Sequence, residues 1–311
     1  MSLLLATDFE PDALQAWAAE LRAALPGETV LTHRSPEQDE SVTTALVSNP
    51  PPGALQGLPK LQFIQSMWAG VDKLLRDDSI PSEVLLARMV DPAMSTAMAE
   101  TALWAVLSLH RDHFSYAAQQ RKGEWKSLPQ RRADEVRVAV LGLGEMGRTV
   151  ALRLVANGYH VDGWSRREVK LPGVDTFIRD AALPTVLGRA DIVINLLPLT
   201  ARTHSLFNAL AFSQMKPGTS FVNLARGQHV VDVDLLDALT RGHLRHAVLD
   251  TFQTEPLPAQ HAYWSHPQVT LLPHAAAQTD LRSATRVAVA NLQAWRDGRS
   301  VTYIVNRARG Y

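Results

Sequence analysis

The segment Gly142-Leu-Gly144-Glu-Met-Gly147 constrains the fold of this chain more than any other. It follows a strand-like run, Val136-Arg-Val-Ala-Val-Leu141, and opens a helical pattern from Arg148 to Asn157 that Gly158 closes. Three glycines at this spacing have separate jobs. Gly142 allows a tight turn, Gly144 lets a pyrophosphate approach the backbone, and Gly147 lets helix and strand pack closely. The start of the helix offers amide hydrogens and positive partial charge to phosphates. An ordinary turn can carry the same glycines. The preceding strand, the following helix and a second strand beyond it are the context that predicts a dinucleotide site. Met146, inside the loop, belongs to the same expected site.

The rest of the chain alternates in the same way. Short strands are expected at 3–7, 30–31, 45–47, 63–64 and 84–86, and a helix at 11–25 with Leu14, Trp17, Ala18, Leu21 and Leu25 on one face. A long helical pattern covers 94–122. Six more strands follow at 136–141, 159–164, 191–197, 219–224, 246–250 and 268–272, then a final helix at 280–296. Parallel neighbours can be joined only by crossovers, so this order predicts doubly wound sheets. A chain of 311 residues exceeds one compact core. The expected fold class is therefore α/β, with two Rossmann-like or flavodoxin-like domains of parallel sheet and an active site in the interdomain cleft. Residues 1–100 with 281–311 are expected to form a substrate domain, and 101–280 the dinucleotide-binding domain.

Composition excludes several classes of function. Lys plus Arg and Asp plus Glu both number 31, so net charge points to neither nucleic acid nor an anionic membrane as partner. The absence of cysteine excludes disulfides, thiol catalysis and cysteine-ligated zinc, and fits the cytoplasm. The opening run Leu3-Leu4-Leu5-Ala6 reads as a first strand, not a signal peptide. The most apolar stretch, 93–109, is interrupted by Ser95, Thr96, Glu100 and Ser108 and reads as a buried helix. His110 with His113, and His243 with His246, lie one helical turn apart without carboxylates at ligand spacing, so no metal is expected.

The end of the second strand of the dinucleotide domain selects the cofactor. An acidic residue there grips the ribose diol of NAD. This chain has Val161-Asp-Gly-Trp164-Ser165-Arg166-Arg167. If Trp164 ends the strand, Ser165 takes the place of the acid, and Arg166 and Arg167 stand where a 2′-phosphate would sit. Charged hydrogen bonds to that phosphate contribute roughly 1.5–3 kcal/mol each. NADP(H) is the expected cofactor, with NAD(H) possible. Asp162 offers a competing register but lies too early, inside the strand.

Three later strands carry polar groups at their C-terminal ends, where open α/β sheets bind ligands. These are Phe221-Val-Asn223-Leu-Ala-Arg226-Gly227, Val248-Leu-Asp250-Thr-Phe-Gln-Thr-Glu255-Pro256-Leu-Pro258, and Val269-Thr-Leu-Leu-Pro273-His274. Here the sequence resembles the D-2-hydroxyacid dehydrogenase family, in its glyoxylate/hydroxypyruvate reductase A branch. The resemblance runs over nearly the whole chain. It includes Trp68-Ala69-Gly70-Val71-Asp72, the glycine loop, Ile194-Asn-Leu-Leu-Pro198, Asn223-Leu-Ala-Arg-Gly227, Glu255-Pro-Leu-Pro258, Pro273-His274 and the ending Arg307-Ala-Arg-Gly-Tyr311.

The resemblance implies a soluble oxidoreductase that moves a hydride between a nicotinamide cofactor and a small 2-oxo or 2-hydroxy acid. It places a catalytic triad on Arg226, Glu255 and His274. In those roles His274 protonates the carbonyl oxygen, because histidine titrates near neutrality. Glu255 orients the imidazolium, and Arg226 grips the substrate carboxylate with its bidentate fork. The resemblance also implies substrate contacts at Trp68, Ala69 and Gly70, and cofactor contacts at Leu197, Pro198, Thr203, Leu224, Ala225, Asp250 and Thr251. Asp250 would accept from the nicotinamide amide. A homodimer is implied, with the long helix from Met94 as a candidate contact. Two other readings stand beside this one: a reductase of bulkier 2-ketoacids, and a non-catalytic dinucleotide-sensing protein.

Overall fold

Strands buried on both faces need helices on both sides, and both sheets of this protein are parallel throughout. The structure, a computed structural model, describes residues 2–310. Met1 and Tyr311, the latter closing the Arg307–Tyr311 motif, lie outside the described residues. The chain divides into two compact units, one running to Met94 and resuming at Thr279, the other Ser95–Gln278.

The first unit holds β1 (Ser2–Thr7), α1 (Pro11–Ala24), β2 (Thr29–Leu31), α2 (Pro36–Asp39), β3 (Val42–Ser48), β4 (Phe63–Ser66) and β5 (Leu85–Ala87). Its sheet has the order β2-β1-β3-β4-β5, the flavodoxin-like arrangement. Trp17, Ala18 and Leu21 form the buried face of α1, as the 3.6-residue spacing predicts. The C-terminal helix Leu281–Arg296 completes this unit. Asp280 caps it by accepting from the Ser283 amide at 2.8 Å. Its Asn291 donates to Gln65 of β4 at 2.8 Å, and its Trp295 stacks on Phe63 at 5.7 Å.

The second unit runs α3 (Pro92–His110, entered from the first unit), α4 (His113–Lys122), β6 (Arg137–Leu141), α5 (Glu145–Ala156), β7 (His160–Ser165), β8 (Val174–Ile178), α6 (Leu183–Arg189), β9 (Ile192–Asn195), α7 (Ala209–Gln214), β10 (Thr219–Asn223), α8 (Asp232–Thr240), β11 (Leu244–Leu249) and β12 (Val269–Leu271). Its sheet order is β12-β11-β10-β9-β6-β7-β8. Alternate residues feed two cores. Val138, Val140, Ile192, Ile194, Val222 and Val248 pack on one face, and Ala139, Leu141, Val193, Phe221, Ala247 and Leu249 on the other. Each fully buried Val, Ile, Leu or Phe contributes about 1.5–3 kcal/mol. Connections leave β6 and β9 in opposite directions, so the space beyond their C-terminal ends is the topological switch point.

Two expectations need correction. The helical pattern over 94–122 is two helices, because Asp112 adopts a left-handed conformation with φ 58°. The Arg245 side chain holds that break, pairing with Asp112 at 2.7 Å and donating to the Leu109 carbonyl. His110 and His113 therefore do not share a helix. The second sheet also has a seventh strand, β8, which periodicity missed: it is a half-exposed edge strand with no apolar run. No helix among the described residues is long and apolar enough to cross a membrane.

Candidate active site

The glycine loop is built by close backbone approach. Gly142 has φ 102°, and a Cβ there would stand 2.7 Å from the Leu196 carbonyl oxygen. A Cβ on Gly147 would lie 1.7 Å from the Gly142 carbonyl oxygen, so only glycine lets α5 start this close to the turn. Gly144 differs: a Cβ there would meet nothing within 4 Å. It is the N-cap of α5 and supplies no side-chain cap, so its bare backbone and the first-turn amides form a cradle that fits a pyrophosphate. Met146, half-buried in the first turn of α5, packs against the core beneath.

Ser165 is the last residue of β7, and its hydroxyl donates to the Arg167 carbonyl. Arg166 and Arg167 follow on an exposed bend. Asp162 is wholly buried and pairs with Arg137 at 2.6 Å and Arg189 at 3.3 Å. Burial pushes its carboxyl above the usual range, against the pull of those two arginines. Its charge is committed within the sheet, which removes the competing register. The residues at the end of β7 thus fit a 2′-phosphate better than a bare ribose diol.

The chemical groups sit on the loops after β10, β11 and β12. Arg226 precedes a single helical turn, Gly227–His229. A Cβ on Gly227 would fall 1.9 Å from the Phe252 carbonyl carbon, so glycine lets the Arg226 turn press against the loop that carries Glu255. Gln228 and Gln253 lace the two loops together, donating to the carbonyls of Gln253 at 3.1 Å and Val230 at 3.0 Å. Glu255 accepts the Phe252 amide at 2.9 Å with one oxygen and His274 Nδ1 at 2.8 Å with the other. An Nδ1–H held by a carboxylate leaves Nε2 as the working nitrogen. Burial pushes the Glu255 carboxyl up. The His274 hydrogen bond, the Phe252 amide and the charges of His274 and Arg226 outweigh it and hold the group below its ordinary value.

His274 itself is left-handed, with φ 53°. Such a backbone costs of order 1–3 kcal/mol for a residue with a Cβ and persists only where its surroundings impose it. Asp250 imposes it here. Its carbonyl accepts the His274 amide at 2.9 Å, and its carboxylate accepts the Ala275 amide at 2.7 Å and the Ala276 amide at 3.1 Å. Asp250 is also the residue expected to accept from the nicotinamide amide, and an ionised carboxylate that takes these two amides keeps acceptor capacity for a further donor. Burial pushes its carboxyl up, opposed by those two amides. The adjacent Thr251 hydroxyl is buried without a hydrogen-bond partner among the described residues.

The remaining expected residues are placed as follows. The Leu197 amide donates to Asn195 at 3.2 Å, and the Thr203 hydroxyl donates to the Pro198 carbonyl at 2.7 Å. Leu224 and Ala225 are buried between β10 and Arg226, whose guanidinium donates to the Ala225 carbonyl at 2.7 Å. Trp68, Ala69 and Gly70 follow β4 in the first unit. There Ser66 Oγ accepts the Trp68 amide at 3.1 Å and donates to its carbonyl at 3.0 Å. Of the second histidine pair, His243 bonds the Phe212 and Met215 carbonyls, and burial first, then Arg245, lowers His246 to about 4. Sequence reasoning overlooked a buried polar cluster of Asn195, Asn223 and His229. Asparagines ending two apolar strands were its only visible signal.

The sequence profile described as "D-isomer specific 2-hydroxyacid dehydrogenase, NAD binding domain" matches residues 103–276. The chain is 36% identical over 302 residues to glyoxylate/hydroxypyruvate reductase A of Serratia proteamaculans, covering 96% of each protein. It is 37% identical to the protein of the same name from Klebsiella pneumoniae subsp. pneumoniae over 302 residues, again 96% of each. Among solved structures, it is similar to a D-isomer specific 2-hydroxyacid dehydrogenase from Xanthobacter autotrophicus in complex with NADPH and MES. The TM-score is 0.95 and the identity 37%, over 100% of this chain and 99% of that one. It is also similar to an NADPH-dependent glyoxylate/hydroxypyruvate reductase from Sinorhizobium meliloti in complex with NADP and sulfate. There the TM-score is 0.92 and the identity 33%, with the same coverage.

Proposed function

The chain belongs to the D-isomer specific 2-hydroxyacid dehydrogenase family, and on that footing we propose that it reduces small 2-oxo acids with NADPH, glyoxylate to glycolate and hydroxypyruvate to D-glycerate. The observation that carries this reading is the 2.8 Å bond between His274 Nδ1 and Glu255, on a loop locked against the Arg226 turn.

Each residue has a task that its placement supports. NADPH, when bound, supplies the hydride that reaches C2. His274 gives a proton from Nε2 to the carbonyl oxygen, so negative charge does not accumulate there. Glu255 fixes the imidazole ring plane and tautomer, since its carboxylate already accepts Nδ1–H. Arg226 holds the substrate carboxylate and polarises the carbonyl beside it. Asp250 shapes the left-handed turn that aims the imidazole, and its remaining acceptor capacity takes the nicotinamide amide. Trp68, Ala69 and Gly70 complete the proposed substrate contacts. Gly142, Gly144, Met146 and Gly147 hold the pyrophosphate. Ser165, Arg166 and Arg167 select the 2′-phosphate, and Leu197, Pro198, Thr203, Leu224, Ala225 and Thr251 seat the rest of the cofactor. The exposed Trp104 and Leu107 on α3 support a second copy of the chain as partner.

The test is turnover of purified protein with NADPH or NADH over a panel of 2-oxo acids. The reading expects the highest kcat/KM with NADPH and the smallest acids. A preference for branched or aromatic acids would replace glyoxylate and hydroxypyruvate with bulkier substrates. NADPH binding without turnover of any acid would leave only a nucleotide binder.

A further inference from the structure

His229 is wholly buried on the turn after Arg226, and none of the tasks above uses it. Its Nδ1 lies 2.9 Å from Asn195 Nδ2, and its Nε2 lies 3.3 Å from the Pro198 carbonyl oxygen. The neighbours fix the direction of each bond. Asn195 Oδ1 accepts the Leu197 amide at 3.2 Å, so the other end of that side chain is its amide nitrogen. That nitrogen also donates to Asn223 Oδ1 at 2.9 Å. Asn223 Oδ1 in turn accepts the Ala225 amide at 3.3 Å, while Asn223 Nδ2 donates to the Arg226 carbonyl at 3.0 Å. Nδ1 of His229 must therefore accept, and Nε2 must carry the hydrogen donated to Pro198. One imidazole thus ties the Leu197–Pro198 loop, at the end of β9, to the Arg226 turn, at the end of β10. Both asparagine side chains are wholly buried, so loss of one member of the ring of bonds leaves buried polar groups without their partner.

We infer that His229 is a positioning residue that sets the cofactor-seating Leu197–Pro198 loop against the carboxylate-gripping arginine. This rests on the proposed roles of Pro198 and Arg226. Cofactor contacts are proposed on both loops and the acid is gripped from the Arg226 turn alone, so either ligand can still bind when the two loops are slightly out of register. Hydride transfer needs both in register, and a displacement of about 1 Å can cost on the order of a hundredfold in rate. Loss of the imidazole should therefore lower kcat more than it weakens either ligand.

His229→Leu removes both bonds. His229→Gln keeps a donor near the Nε2 position, and His229→Asn keeps an acceptor near Nδ1 but is too short to reach Pro198. Each variant is compared with wild type by NADPH Kd, by KM for glyoxylate, and by kcat per bound NADPH. His229→Leu is expected to lose about tenfold to a hundredfold in kcat with smaller changes in Kd and KM, and the primary isotope effect from 4-deuterated NADPH should rise. His229→Gln should recover most of that loss and His229→Asn should not. If the leucine variant fails to fold, the glutamine–asparagine contrast carries the same test. An active wild type whose variants keep kcat within about twofold overturns this inference alone. A wild type that reduces no 2-oxo acid overturns the proposed function and this inference together.

Discussion

At the β6–α5 turn the site is made of backbone pressed together, because Gly142 and Gly147 remove the side chains that would hold it apart. At the ends of β10, β11 and β12 it is made of side chains on three loops, with Glu255 and His274 held to each other across two of them and the His274 turn held by Asp250. The first region depends on a few consecutive residues. The second depends on contacts between segments far apart in sequence: Gly227 against Phe252, Glu255 against His274, Asp250 against Ala275 and Ala276. A backbone cradle fails by steric exclusion, whereas a side-chain constellation fails by misdirection. The two regions should therefore respond differently to substitution.

Gly147→Ala should give the largest loss of stability. Its Cβ would stand 1.7 Å from a backbone oxygen that cannot move aside, so a loss above about 3 kcal/mol is expected by denaturant titration. Gly144→Ala is the control. Its Cβ meets nothing in the protein, so stability should hold while NADPH affinity falls. Equal destabilisation by both would erase the distinction between packing glycine and cradle glycine. Ser165→Asp with Arg166→Ala comes next. It replaces a neutral hydroxyl donor and a cation with a carboxylate at the end of β7, so the NADPH-to-NADH ratio of kcat/KM should fall by about ten- to a hundredfold. An unchanged ratio would place cofactor selection elsewhere.

The smallest effect is the acid response of Glu255. Its carboxyl is held below the ordinary value, so its stabilisation is fully present above that value and is lost as pH falls through the lower folded one. Glu255→Gln should therefore flatten the acid limb of a stability–pH curve. The side chain is about a third exposed, and solvent screening keeps the effect modest. An identical acid limb in wild type and variant would show that the pair contributes orientation alone.

The same contrast explains what could be read from residues alone. The glycine loop, the helix behind it and the strand ending at Ser165 are local, and local sequence carried their constraints. Alternating runs such as Val138–Leu141 placed the central strands because a strand buried on both faces has little freedom in composition. The edge strand Val174–Ile178 escaped notice because it is half-exposed and polar at alternate positions. The break at Asp112 escaped because Arg245, distant in sequence, holds it. Within the site, Arg226, Glu255 and His274 were visible as polar groups beyond strand ends, and their acid–base roles were implied by the family resemblance. The work of Asp250 and His229 did not show, because it exists only where separate loops meet.

Single-turnover hydride transfer tests the Glu255–His274 acid most directly. Enzyme loaded with NADPH is mixed with glyoxylate, and loss of the reduced-nicotinamide absorbance is followed across pH for wild type and His274→Gln. Wild type should transfer hydride more slowly as pH rises and the imidazole gives up its proton. The variant should bind NADPH equally well yet react about 10²–10⁴-fold more slowly, with that pH dependence gone. A variant as fast as wild type, with the same pH profile, would contradict His274 as the proton donor.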